Sequence, residues 1–80
     1  IEIDARAYID EVNDEFDLDL PDEEDYDTVG GFVFSHLGYI PKSGESFDYE
    51  NLRFVIVEAE PRKITTIRIQ KLTSKEKLNQ

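Results

Sequence analysis

The feature that most narrows the fold is a single change of hydrophobic period in mid-chain. Val29, Phe32, Val33 and Leu37 recur at helical spacing, whereas from Glu45 to Lys71 the apolar residues alternate with a period of two. Asp27 or Thr28 is placed to cap the helix, Gly38 to end it as a left-handed residue, and Pro41 to stop its continuation. A chain that switches from helix to strand and does not switch back predicts an α+β fold. The expected architecture is a small antiparallel sheet, a three-stranded meander plus a short N-terminal strand, with two helices on one face.

The same helix carries a cost. Gly30 and Gly31 sit in its first turn, where each is worse than Ala by roughly 1 kcal/mol. Close packing on another backbone would offset that. Alternatively, glycines at a helix start let a phosphate approach the unpaired N–H groups, which makes Gly30 and Gly31 the candidate cofactor-binding residues. The pattern is neither G-x-G-x-x-G after a strand nor a P-loop, and Asp25 and Asp27 beside it oppose an anion.

Upstream, Ile1 to Asp4 reads as a short strand and Asp4 as the cap of a first helix. Ile9, Val12 and Phe16 share one helical face. That helix ends near Phe16, because Asp17 and Asp19 are poor helix formers and Pro21 follows. Residues 17–27 form an acidic loop with Leu18 and Leu20 turned inward and Tyr26 against the domain. Downstream, Glu45–Tyr49, Leu52–Glu60 and Lys63–Lys71 read as strands joined at Glu50-Asn51 and Pro61-Arg62. Leu52–Glu60 is apolar on both faces, as a central strand would be. In the last strand Thr65, Ile67 and Ile69 alternate against Thr66, Arg68 and Gln70. The domain spans residues 1–72, and 73–80 form a polar tail.

The charge is −10 in total and unevenly spread: residues 1–41 hold 13 acids and one base, Arg6, and residues 42–80 hold 6 acids and 8 bases. Nucleic-acid binding requires clustered Lys and Arg, so this balance excludes it. Cys is absent, which removes disulfides and thiolate metal sites and fits a reducing compartment. No run of 18 apolar residues is present, so the chain is not expected to insert into a membrane. It opens Ile1-Glu2-Ile3 and contains no Met, which reads as a segment of a longer protein.

Hard oxygen ligands for Mg²⁺ or Ca²⁺ are available in the acidic loop, where Asp17, Asp19, Asp22 and Asp25 are the candidates. As a calcium loop the segment fails: Asp22 stands where Gly is needed and Thr28 where the closing Glu is needed. The competing reading is a solvated acidic surface. His36, the single histidine, lies late in the second helix, where the dipole favours a cation. No His or Cys partner exists for it, and none of Ser35, Ser43, Ser46 and Ser74 has a local base, so no catalytic residue is assigned and the chain is not read as an enzyme. Arg62, Lys63, Arg68 and Lys71 form a basic cluster on the last strand. It pairs with the acidic half, covers an edge, or meets another domain.

In order and spacing, these signals resemble the CorC/HlyC transporter-associated domain. The matching stretches are Asp4 and Arg6 with Asp10-Glu11-Val12-Asn13, Leu18-Asp19-Leu20-Pro21, Asp27-Thr28-Val29-Gly30-Gly31, Leu37-Gly38, Ile40-Pro41-Lys42, Gly44-Glu45, Leu52-Arg53-Phe54 and Arg62-Lys63-Ile64. One departure is Ala5, where the family often has Gly. The resemblance implies a domain at the C-terminal end of larger proteins that carry a pair of CBS domains and often a membrane region. Those proteins are linked to magnesium and cobalt efflux, and some are labelled hemolysins. It therefore implies an accessory or regulatory module on the cytoplasmic side of a membrane, with the CBS and membrane domains of its parent as partners. Separately, edge strands of the expected meander pairing between chains would give a homodimer. The family fold also resembles part of FAD-binding domains of certain flavoenzymes, so an FAD or adenine-nucleotide binding module is the alternative function. The family supplies no catalytic residues to carry over.

Overall fold

A computed structural model describes residues 1–72; the polar tail at 73–80 lies outside the described residues. The elements run β1 (Glu2–Asp4), α1 (Ile9–Phe16), α2 (Val29–Leu37), β2 (Ser46–Tyr49), β3 (Leu52–Glu60) and β4 (Lys63–Lys71). The sheet has the order β1-β4-β3-β2, and every neighbouring pair is antiparallel. The meander β2-β3-β4 is the expected one, and β1 returns to the free side of β4 over Thr66–Arg68.

One core joins the inner sheet face to both helices. Ile9 and Val12 of α1 and Val29, Phe32 and Val33 of α2 pack with Leu52, Phe54, Ile56, Ile64, Ile67 and Ile69. Phe32 lies at its centre, within 5.1–5.9 Å of the rings of Tyr26, Tyr49 and Phe54. Phe54 stacks on Phe47 at 5.0 Å. The outer sheet face is left to water, as one-sided antiparallel sheets allow. Burial of both faces of β3, expected from its two apolar faces, is not met: Val57 is exposed there.

Strict alternation fails at one place on β4. Ile64 and Ile67 are both buried although three residues apart. The register slips between Ile56 and Glu58, and again between Glu58 and Ala59. This leaves Val57 and Thr65 unopposed, and such bulges reverse which face the following residues take. The Thr65 hydroxyl secures the irregularity by donating to the Glu58 carbonyl at 2.8 Å.

Asp4 does not cap α1. The helix starts five residues later behind Tyr8, whose side chain makes no cap bond. Asp4 instead accepts the Arg6 backbone N–H at 2.8 Å and pairs with its guanidinium. The start of α1 is held by tertiary contact: Tyr8 bridges Thr28, and the Ile9 N–H donates to the Asp27 carbonyl at 2.9 Å. At α2 the cap is Thr28 rather than Asp27, accepting the Gly31 N–H at 3.1 Å. Gly38 ends that helix at φ 82°, a conformation costly for any residue with a Cβ.

Candidate functional site

At the start of α2 two segments of backbone meet, residues 5–7 and 26–31. The Gly30 N–H donates to the Ala5 carbonyl at 2.8 Å and the Val29 N–H to the Ala7 carbonyl at 3.0 Å. A Cβ on Gly30 would lie 3.0 Å from both the Cβ and the carbonyl oxygen of Ala5; one on Gly31 would lie 2.8 Å from the Tyr26 Cβ. Close approach therefore accounts for both glycines. The N–H groups of Val29, Gly30 and Gly31 are all engaged within the fold.

Beside this junction lies a concavity of about 370 Å³, floored by Ala5, Gly30, Phe34, Ile40 and Ile64. Its rim holds Arg6, Arg62 and Lys63 and no carboxylate. Phe34 is 50% exposed although it sits in the more apolar of the two described helices. Asp4 is held below the usual carboxylate range, first by its hydrogen bond from the Arg6 side chain and then by the Arg6 N–H. Lys63 faces Glu60 at 3.9 Å. Arg62 has no ion-pair partner among the described residues.

A second concavity, about 320 Å³, is lined by Glu23, Asp25, Tyr26, Ser35, His36 and Tyr49, among others. His36 is part of the aromatic packing here, stacked on Phe47 at 5.1 Å and on Phe32 at 5.8 Å. Of the four candidate metal ligands, Asp25 reaches this hollow, Asp22 and Asp19 point to solvent, and Asp17 ends α1 as a left-handed residue whose N–H donates to the Asn13 carbonyl. Among the described residues no three His, Cys, Asp or Glu side chains gather where they could hold one ion. Burial, with lesser help from nearby acids led by Glu23, raises the Tyr26 hydroxyl above its ordinary pKa.

The cations expected to act together on β4 separate. Arg68 pairs with Glu2 on the outer sheet face, whereas Arg62 and Lys63 join Arg6 at the apolar concavity. Two residues with structural roles escaped the sequence reading. Asn13 clamps the acidic loop, its amide donating to the Leu20 carbonyl and its oxygen accepting the Leu20 N–H, both at 2.9 Å. An Asn inside a short amphipathic helix was the available signal, since it competes for backbone partners. Glu45 folds the Pro-Lys-Ser-Gly turn, accepting the Lys42 N–H at 2.6 Å and the Tyr39 hydroxyl at 2.8 Å. Those two bonds, the backbone one first, lower its pKa.

These features define a small α+β domain with a one-sided antiparallel sheet and a helix start packed through glycine on a neighbouring backbone. Residues 1–73 match the transporter-associated domain family CorC_HlyC, and the chain belongs to it. Hemolysin C of Brachyspira hyodysenteriae is 45% identical over 71 residues, 88% of this chain and 26% of that protein. The magnesium and cobalt efflux protein CorC of Pasteurella multocida is 39% identical over 65 residues, 81% of this chain and 21% of that one. The chain thus spans about a quarter of the length of these curated relatives. A solved transporter-associated domain from Nitrosomonas europaea superposes with a TM-score of 0.78 at 32% identity, covering 88% of this chain and 84% of that one. A corresponding domain of a Xylella fastidiosa hemolysin, solved in complex with Mg²⁺ and Mn²⁺, gives 0.76 at 30% identity over 90% and 86%.

Proposed function

We propose that this domain is an accessory, regulatory module of a membrane ion transporter of the magnesium and cobalt efflux type, placed on the cytoplasmic side and acting through contacts with the CBS and membrane domains of its parent. The observation that carries this reading is the concavity beside α2. It combines an exposed Phe34 and an apolar floor with three cations. A surface of this kind is suited to binding. The relatives that carry the domain as a quarter of their length supply the transporter context.

The test is transport in cells whose parent protein carries Phe34→Asp or lacks residues 1–72, with membrane expression checked by immunoblot. Altered Mg²⁺ or Co²⁺ efflux at unchanged expression is the expected outcome. Normal efflux in both would end the reading.

The alternative is binding of FAD or an adenine nucleotide at the same concavity. Its volume and its three rim cations favour it. Against it stands the engagement of the Val29, Gly30 and Gly31 N–H groups, which leaves no backbone cradle for a phosphate. Isothermal titration with FAD, AMP and ATP decides it. Mg²⁺ and Mn²⁺ belong in the same series, because the Xylella fastidiosa domain was solved with both. Heat only with the divalent ions would point to the acidic loop.

A further inference from the structure

Resting on the contact-module reading, we propose that the concavity between α2 and the β3–β4 turn docks an acidic polypeptide segment through an aromatic or aliphatic anchor side chain. Three features of the site carry this. First, the sign of charge is opposite to that of the chain: the whole carries −10, while three of the seven bases in residues 1–72 (Arg6, Arg62 and Lys63) stand on this one rim. Two of them have an acid next door, Asp4 for Arg6 and Glu60 for Lys63, and Arg62 has none among the described residues.

Second, the floor is apolar. Phe34 is half exposed, and Ile40 and Ile64 continue its surface. A buried anchor surrounded by a polar rim is the usual anatomy of a specific contact. Third, the backbone offers no cradle to a phosphate. Phosphate sites at helix starts use free N–H groups, and here those of Val29, Gly30 and Gly31 donate to Ala7, Ala5 and Thr28. Carboxylates on a flexible segment need only the long Arg and Lys side chains, which the rim provides.

The probe is a capped peptide, acetyl-Glu-Asp-Phe-Leu-Glu-Asp-amide, titrated to millimolar concentration into ¹⁵N-labelled protein at low salt. Its controls are the charge-reversed peptide with Lys at the acidic positions, the acidic peptide with Ala for Phe and Leu, and AMP. The expected result is amide shifts concentrated on Gly30, Gly31, Phe34 and residues 62–64. Arg62→Ser and Phe34→Ser should each weaken binding at least fivefold, and raising the salt from about 50 to 500 mM should weaken it further. Both substitutions are at exposed positions, and unchanged spectra elsewhere would report an intact fold. Absence of shifts, shifts on another face, equal binding of the charge-reversed peptide, or binding of AMP alone would each overturn the proposal. If peptide binding fails while deletion of the domain still alters efflux, the docking proposal falls and the accessory-module reading stands. If efflux is unaffected while the peptide binds, the reverse holds.

Discussion

Replacing Gly30 by Ala sets two opposing effects against each other, and the structure says which wins. In an ordinary helix the change stabilises by roughly 1 kcal/mol. Here the new Cβ would stand 3.0 Å from the Ala5 Cβ and 3.0 Å from the Ala5 carbonyl oxygen. That oxygen is also the acceptor of the Gly30 N–H at 2.8 Å, so α2 cannot retreat without stretching the bond. Overpacking costs about 1–3 kcal/mol, and a weakened hydrogen bond about 0.5–1.5 kcal/mol. The net effect is destabilisation of about 2 kcal/mol. For a domain of this size that is a fall in Tm of about 8–16 °C, at about 4–8 °C per kcal/mol. Urea and thermal unfolding followed by far-UV circular dichroism measure it directly, since the chain has no Trp. Adding Ala5→Gly removes the Cβ–Cβ contact but not the carbonyl contact, so the double variant should recover part of the loss, with a coupling of at least about 0.5 kcal/mol. A Gly30→Ala protein as stable as the wild type, or more stable, would refute the close-approach argument.

Asn13→Ala should cost about 1–3 kcal/mol, because the N–H and carbonyl of the inward-turned Leu20 lose their only described partners; hydrogen exchange at the Leu20 amide should accelerate more than exchange in β3. Phe54→Ala empties the middle of the aromatic packing at a fully buried position. At about 3–5 kcal/mol it should leave a domain with so small a core largely unfolded at 25 °C, and a cooperative native-like melt would count against the assigned core. Glu45 has a folded pKa below its unfolded one. Its contribution is therefore complete above the ordinary carboxylate pKa of about 4.3 and is lost as pH falls through the lowered folded value. Glu45→Gln should thus be less stable than wild type at neutral pH, with the gap closing in acid; a pH-independent gap would show that the carboxylate charge is not what holds the turn.

Much of the architecture was legible before any coordinates, and particular residues show why. The helix over Val29–Leu37, its Gly38 stop and the strands Leu52–Glu60 and Lys63–Lys71 follow from local periodicity and local turn chemistry, and they appear with those bounds. The cost of glycine in a helix pointed to a backbone neighbour for α2, and the neighbour is Ala5. The site was less legible. Its cations come from residue 6 and residues 62–63, and its floor from residues 5, 30, 34, 40 and 64. No short motif can announce a surface assembled from four separated segments.

The sequence by itself determined the class of fold, the element order, the acidic imbalance and the family, because each depends on periodicity, composition or the order of local signals along the chain. Only the tertiary structure decided that Asp4 pairs with Arg6 instead of capping α1, that paired register slips bring Ile64 into the core, and that the N–H groups at the start of α2 are already engaged. It also decided that Arg62 and Lys63 part company from Arg68. These are outcomes of competition between partners distant in sequence, and a hydrogen-bond donor or a charge goes to whichever partner the packed core brings within reach.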